Sequence, residues 1–132
     1  MSLDVSPALL AQAEAGPVES DAFLEAVRTS LPYAYAMVER LAEERLAAGE
    51  AAPFSDNAAA PESEAERGQL LRALASNAIR GSLERHFGVT LAFQNCHRLA
   101  VFPAGAAESE AYLRFTSERA QLLNQSLELR DC

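Results

Sequence analysis

Lysine is absent from this chain, and all eleven basic residues are arginine. Chemistry that needs a Schiff-base lysine, a phosphate-loop lysine or a kinase-type lysine is thereby excluded. Arginine for lysine alongside abundant alanine is what a GC-rich genome produces, and it matters physically only at bidentate or stacked sites. Cysteine is scarce: Cys96 and the terminal Cys132 are too few for a disulfide scaffold. A cysteine in the last position is also not a prenylation signal. β-Branched apolar residues are few, with seven Val and Ile against eighteen Leu and twenty-seven Ala. That balance leans towards helix. No apolar run approaches the length of a membrane span, and the N-terminus lacks the basic and apolar blocks of a secretion signal. The expectation is a cytoplasmic protein with reduced thiols that does not enter a membrane. Motifs of the G-x-G-x-x-G, G-x-S-x-G and H-E-x-x-H types are missing too.

The chain is acidic, with a net charge of −8. That opposes a nucleic-acid or anionic-membrane footprint for the molecule as a whole. The charge is unevenly placed. Residues 1–66 hold thirteen acids and three arginines, whereas residues 67–132 hold six acids and eight arginines. Between 67 and 102, Arg67, Arg72, Arg80, Arg85 and Arg98 face only Glu84. Either the two halves pack and compensate each other, or the second half carries a local anion-binding face.

Several helices can be placed from their ends. Ser6-Pro7 caps and opens the first, and Gly16-Pro17 ends it. A second starts near Ser20-Asp21, with Phe23, Leu24, Val27 and Leu31 at helical spacing. Pro32 either kinks that helix or stands in the first turn of a new one. Beyond it Met37, Val38, Leu41, Ala42 and Leu46 share one apolar face, as far as Gly49. Residues 49–62, acidic and with two prolines, read as a mobile surface loop with Phe54 as its one anchor, or as a lid. Ser63 and Glu66 form a capping box for a helix expected to run from 64 to His86 or Phe87. On it Leu70, Leu71, Leu74, Ala75, Ala78, Ile79 and Ser82 point inward, and Gln69, Arg72, Ser76, Arg80 and Glu84 outward.

After Gly88 the period changes to two, which predicts a hairpin of 89–94 and 98–102. With Asn95-Cys96-His97 as a three-residue loop, Phe93 faces Leu99 and Gln94 faces Arg98. A two-residue loop would set Phe93 against Arg98 and mix the faces, so the three-residue loop is preferred, with Asn95 or His97 left-handed. From about Ala107 a last helical pattern follows, with Thr116-Ser117 as a point of breakage and recapping. The tail from Glu128 to Cys132 is expected to fray.

Five blocks carry a family likeness: Ser2-Leu3-Asp4-Val5-Ser6-Pro7-Ala8-Leu9-Leu10, Arg28-Thr29-Ser30-Leu31-Pro32-Tyr33, and the runs 67–76, 85–103 and 121–132. They resemble a family of small uncharacterised actinobacterial proteins of the streptomycete type. The resemblance implies an intracellular actinobacterial protein and brings no activity, cofactor or site residue with it.

The chemically mixed cluster is Asn95-Cys96-His97-Arg98. Adjacent Cys and His lack the spacing of a zinc pair, so no metal and no cofactor is expected. A Cys96–His97 nucleophile pair would need a third, orienting group, and a lone cytoplasmic cysteine is ordinarily a small buried hydrophobe. The carboxylate pairs (Glu43-Glu44, Glu62 to Glu66, Glu108/Glu110) lie on solvent faces or at helix starts. A six-residue strand spans about 20 Å, the length of roughly thirteen helical residues. A helix folded back over strand 89–94 would therefore set residues 73–77 beside the hairpin tip. Arg72, Ser76, Asn77 and Arg80 would then meet Asn95, Cys96, His97 and Arg98 as donors for a carboxylate or phosphate.

The expectation is a single α+β domain over 1–132, α-rich, with roughly four or five helices around one hairpin. The leading functional reading is a non-enzymatic cytoplasmic interaction or regulatory protein, with an unidentified protein partner or itself as a homodimer. One alternative is a small enzyme or anionic-ligand-binding domain using the Asn95–Arg98 tip. Another is an accessory nucleic-acid binder through the 67–98 arginine face, with helix and hairpin placed as in a winged helix. The acidity, and the lack of a tight turn within 70–83, oppose that one.

Overall fold

Serine caps divide this chain into its helices. In a computed structural model, which describes residues 3–95 and 97–125, Ser6, Ser63, Ser76, Ser109 and Ser117 each accept a hydrogen bond from the backbone N–H three residues on. Each satisfies one of the donors a helix start leaves free. The resulting order is α1 (Pro7–Ala15), α2 (Ser20–Ser30), α3 (Pro32–Ala48), β1 (Ser55–Asp56), α4 (Glu64–Ala75), α5 (Asn77–Phe87), β2 (Val89–Gln94), β3 (Arg98–Pro103), α6 (Glu110–Phe115) and α7 (Glu118–Leu123). Short 3-10 turns lie at Gly49–Ala51 and Ala106–Glu108. The fold is α+β and helix-rich, as expected, with seven helices and a three-stranded antiparallel sheet among the described residues.

One departure comes from local polar chemistry. The helix expected over 64–87 is broken at Ser76, whose extended backbone (φ −90°, ψ 119°) ends α4 and starts α5. Ser and Asn compete with helical hydrogen bonding and favour caps, and here that preference outweighs the apolar period running through the segment. Leu31 leaves helical geometry, so of the two readings of Pro32 the second holds and it opens a new helix. The N-terminus of that helix is capped from a distance. Gln69 Oε1 accepts from the N–H groups of Tyr33 (2.8 Å) and Ala34 (3.2 Å). Gln69 thus faces α3 and not solvent.

The sheet order is β1-β3-β2. The hairpin register is the expected one, with Phe93 opposite Leu99, Leu91 opposite Val101, Ala92 opposite Ala100 and Gln94 opposite Arg98. Asn95 takes the left-handed conformation at φ 55°. β3 extends one residue beyond expectation, to Pro103.

The third strand corrects the reading of 49–62 as structureless. Ser55 and Asp56 pair with Val101 and Ala100. Asn57 then continues the edge with its side chain: Nδ2 donates to the His97 carbonyl (2.6 Å) and Oδ1 accepts from the Leu99 N–H (2.8 Å). β2 forms the other edge, where the Leu91 N–H is occupied by Glu84 Oε2 at 2.9 Å. A carboxylate on an open strand edge discourages pairing with another chain.

Both faces of the sheet are covered. One packs Leu91, Leu99 and Val101 against Val27 and Leu31 at the end of α2, Val38 and Leu41 of α3, Leu70 and Leu74 of α4, and Ile79 and Leu83 of α5. The other packs Ala92, Ala100 and Phe102 under Phe115 of α6, with Phe54 against both rings. Among the described residues no helix is long and apolar enough to cross a membrane. The expected fraying of 128–132 lies outside the described residues.

Candidate functional site

The residues singled out at the α4–α5 turn are held by one another. Ser76 caps α5. Arg80 donates to Asn77 Oδ1 (2.7 Å) and to the Leu74 carbonyl (3.2 Å) across the helix break. Its guanidinium satisfies the end of α4, a local structural duty. Arg72 is half-buried, with its guanidinium against Gly68 one turn earlier.

The hairpin tip is engaged elsewhere. Asn95 Nδ2 donates to the Asn124 carbonyl (2.6 Å), and Asn95 Oδ1 accepts from the side chains of Gln121 and Gln125. These bonds tie the tip to α7 and the residues after it. Arg98 turns to β1, donating to Asp56 Oδ2 from Nε (3.0 Å) and Nη2 (2.5 Å), with its guanidinium 5.2 Å from the centre of the Phe115 ring. His97 is 8% exposed, and burial together with Arg98 and Arg67 lowers its pKa. Its Nδ1 has no partner among the described residues. Cys96 lies outside the described residues. Arg80 and Arg98 line different clefts: Arg80 opens beside Thr90 to Phe93 on the β2 edge, Arg98 beside Phe54 and α6. Among the described residues no three His, Cys, Asp or Glu side chains gather to hold a metal ion.

Two other surfaces stand out. The first is an apolar cleft of about 410 Å³ between the C-terminal half of α3 and the start of β2. Ala42, Leu46, Phe87, Val89 and Pro103 line it, with Glu39 and Glu43 also on its walls. Leu46 is 84% exposed, which corrects its assignment to the buried face of α3. It lies at the mouth of this cleft, with no described element covering it. Arg45, the cation at this cleft, is spent on the Gly49 carbonyl at 2.6 Å.

The second is a cleft of about 510 Å³ between Phe54 and the α6–α7 pair. Arg98, Arg114 and Arg119 line it, and among the described residues no carboxylate does. Gln94, 1% exposed, is also in its wall. Gln94 Nε2 donates to the Phe115 carbonyl at 2.6 Å, while its Oε1 has no partner among the described residues.

Sequence reasoning missed both clefts, along with Asn57 and Gln69. Each depends on which elements meet, and strand-period alternation could only say that Gln94 and Arg98 share a face.

With this geometry in hand, comparison with known families places the chain. It belongs to the family described as NucS shadow ORF, whose model, KH_NucS_shadow, matches residues 1–132. No curated protein and no solved structure gives a significant match.

Proposed function

We propose that this chain is a non-enzymatic interaction protein that docks a cationic, amphipathic segment of a partner protein in the cleft beside Leu46. The carrying observation is the 84% exposure of Leu46 on an apolar cleft walled by Glu39 and Glu43. An exposed apolar patch with a polar rim is the usual mark of a partner site. An amphipathic helix in a groove needs such an apolar floor, and acidic walls select a basic segment and speed its arrival. A second copy of this chain would bring Glu39 and Glu43 against the same residues, so a different protein fits better than a homodimer. At the hairpin tip the Asn95 amide and the Arg98 guanidinium are committed to structural hydrogen bonds, which favours binding over chemistry there. A cytoplasmic, actinobacterial setting belongs to the same reading and accords with the alanine and arginine usage.

The test is cross-linking in extracts of the native cell with the full chain and with Leu46→Glu as parallel baits. The reading expects a partner with a basic segment that is captured by the wild type, lost with the variant and released by salt. Identical captures by both baits refute it.

One observation favours nucleic acid as a second reading. The family's name carries the label KH, and here a helix–turn–helix lies between strands of one sheet. KH modules clamp backbone nucleotides with a GXXG loop. The turn here reads Ala75-Ser76-Asn77-Ala78, without glycine, and Asn77 is engaged by Arg80. Anisotropy of a labelled single-stranded RNA at low salt decides it: no binding removes this reading.

A further inference from the structure

The cleft between Phe54 and α6–α7 joins three features that are not explained by the packing of the fold. Among the described residues its lining has three guanidiniums and no carboxylate, on a chain of net charge −8. Arg98 is neutralised by Asp56 beneath it, but Arg119 has no ion pair among the described residues. Among the described residues the ion pair of Arg114 is with Glu110 one turn away, at 2.7 Å and exposed. Such pairs contribute little and exchange readily for a better anion. The second feature is Gln94. Its orientation is set by the bond from Nε2 to the Phe115 carbonyl, so the acceptor Oε1 is left over. A buried, unpaired acceptor is costly and is seldom left so. The third is an apolar wall, with Phe54, Phe115 and Leu123 beside these polar groups.

We infer that this cleft is a binding site for a small organic anion with an apolar body and an N–H or O–H donor. The carboxylate or phosphate of the ligand lies against Arg114 and Arg119. Its donor satisfies Gln94 Oε1, and its apolar part covers Phe54 and Leu123. A few convergent polar groups in an otherwise apolar cavity of about 510 Å³ match the size and make-up of small-molecule sites. The charge lining sets this cleft apart from the one beside Leu46, and neither proposal depends on the other.

The experiment is a titration of the full chain followed by amide NMR shifts, with N-acetyl-L-phenylalanine as the carboxylate probe and adenosine monophosphate as the phosphate probe. At least one should saturate with a dissociation constant on the order of 1 mM or tighter, as expected of an unoptimised ligand of this size. The shifts should concentrate at Phe54, Gln94 and residues 114–124. Whichever probe binds reports whether the site prefers carboxylate or phosphate. Arg119→Ser, an exposed change, should weaken it at least about five-fold with the fold intact. If the carboxylate probe binds, methylating its amide nitrogen should weaken it on the wild-type chain, which tests Gln94 without altering the protein. The inference is overturned if neither probe saturates by about 10 mM. It is also overturned if the shifts lie elsewhere, or if Arg119→Ser leaves the affinity unchanged.

Discussion

Asn57→Ala should be among the most damaging single substitutions in this chain, although the residue sits in a stretch that reads as loop. Its side chain is 5% exposed and makes two hydrogen bonds to the hairpin, giving to the His97 carbonyl at 2.6 Å and taking from the Leu99 N–H at 2.8 Å. Truncation leaves a buried acceptor and a buried donor with no partner. Each such group costs about 1–3 kcal/mol, so the expected loss is roughly 2–6 kcal/mol, towards the lower end if water enters the space. For a domain with a urea slope of about 1–2 kcal/mol per molar, the midpoint should fall by at least about 1 M with the slope unchanged. Asn57→Asp sharpens the test. It keeps the acceptor for Leu99 but sets a carboxylate oxygen against the His97 carbonyl, so it should be no more stable than the alanine variant at neutral pH. A loss below about 0.5 kcal/mol for Asn57→Ala would mean that β3 does not need this side chain, and would refute the argument.

Burial and the nearby Arg98 and Arg67 lower the pKa of His97 below its ordinary 6.5. The unfolded chain therefore binds the proton first, so the contribution of His97 to stability is complete above pH 6.5 and declines as pH falls through it. His97→Gln should flatten the urea midpoint against pH just below 6.5, and an unchanged slope there would refute it. Ser76→Ala removes the acceptor for the Ile79 N–H and should cost about 1 kcal/mol in thermal or urea unfolding; no loss would mean that the break between α4 and α5 is held elsewhere. Gly88 ends α5 at φ 65°, where an added Cβ is disfavoured by about 1–2 kcal/mol, so Gly88→Ala should lower the melting temperature. Leu46→Glu, by contrast, should leave stability within about 0.5 kcal/mol, and a larger loss would show that Leu46 packs in the fold.

What could be read directly from the residues is local. The serine caps at Ser6, Ser63 and Ser117, the left-handed stop at Gly88 and the hairpin register follow from groups within a few positions of one another. The register is set by loop length and by the alternation of Phe93, Leu91, Leu99 and Val101, since a shift of one residue would turn every side chain over. Even there, one local preference outweighs the apolar period. Ser76 and Asn77 break a helix whose apolar spacing continues through them, because capping satisfies backbone donors that periodicity does not register.

The remainder was decided by contacts between distant parts of the chain, for which composition and spacing carry no signal. Gln69 caps a helix thirty-five residues before it, and Asn57 completes a strand forty residues after it. In both, a neutral amide that could equally have faced water is drawn in by backbone groups left unpaired in a dry place. Gln94 alternates on the strand as an outward residue would, yet α6 and Phe115 fold over that face and bury it. Leu46 keeps the apolar spacing of its helix, but no described element covers it and that side chain is left in solvent. Periodicity states which side chains share a face. Whether that face is covered, and by what, depends on where the chain returns, and both clefts arise there.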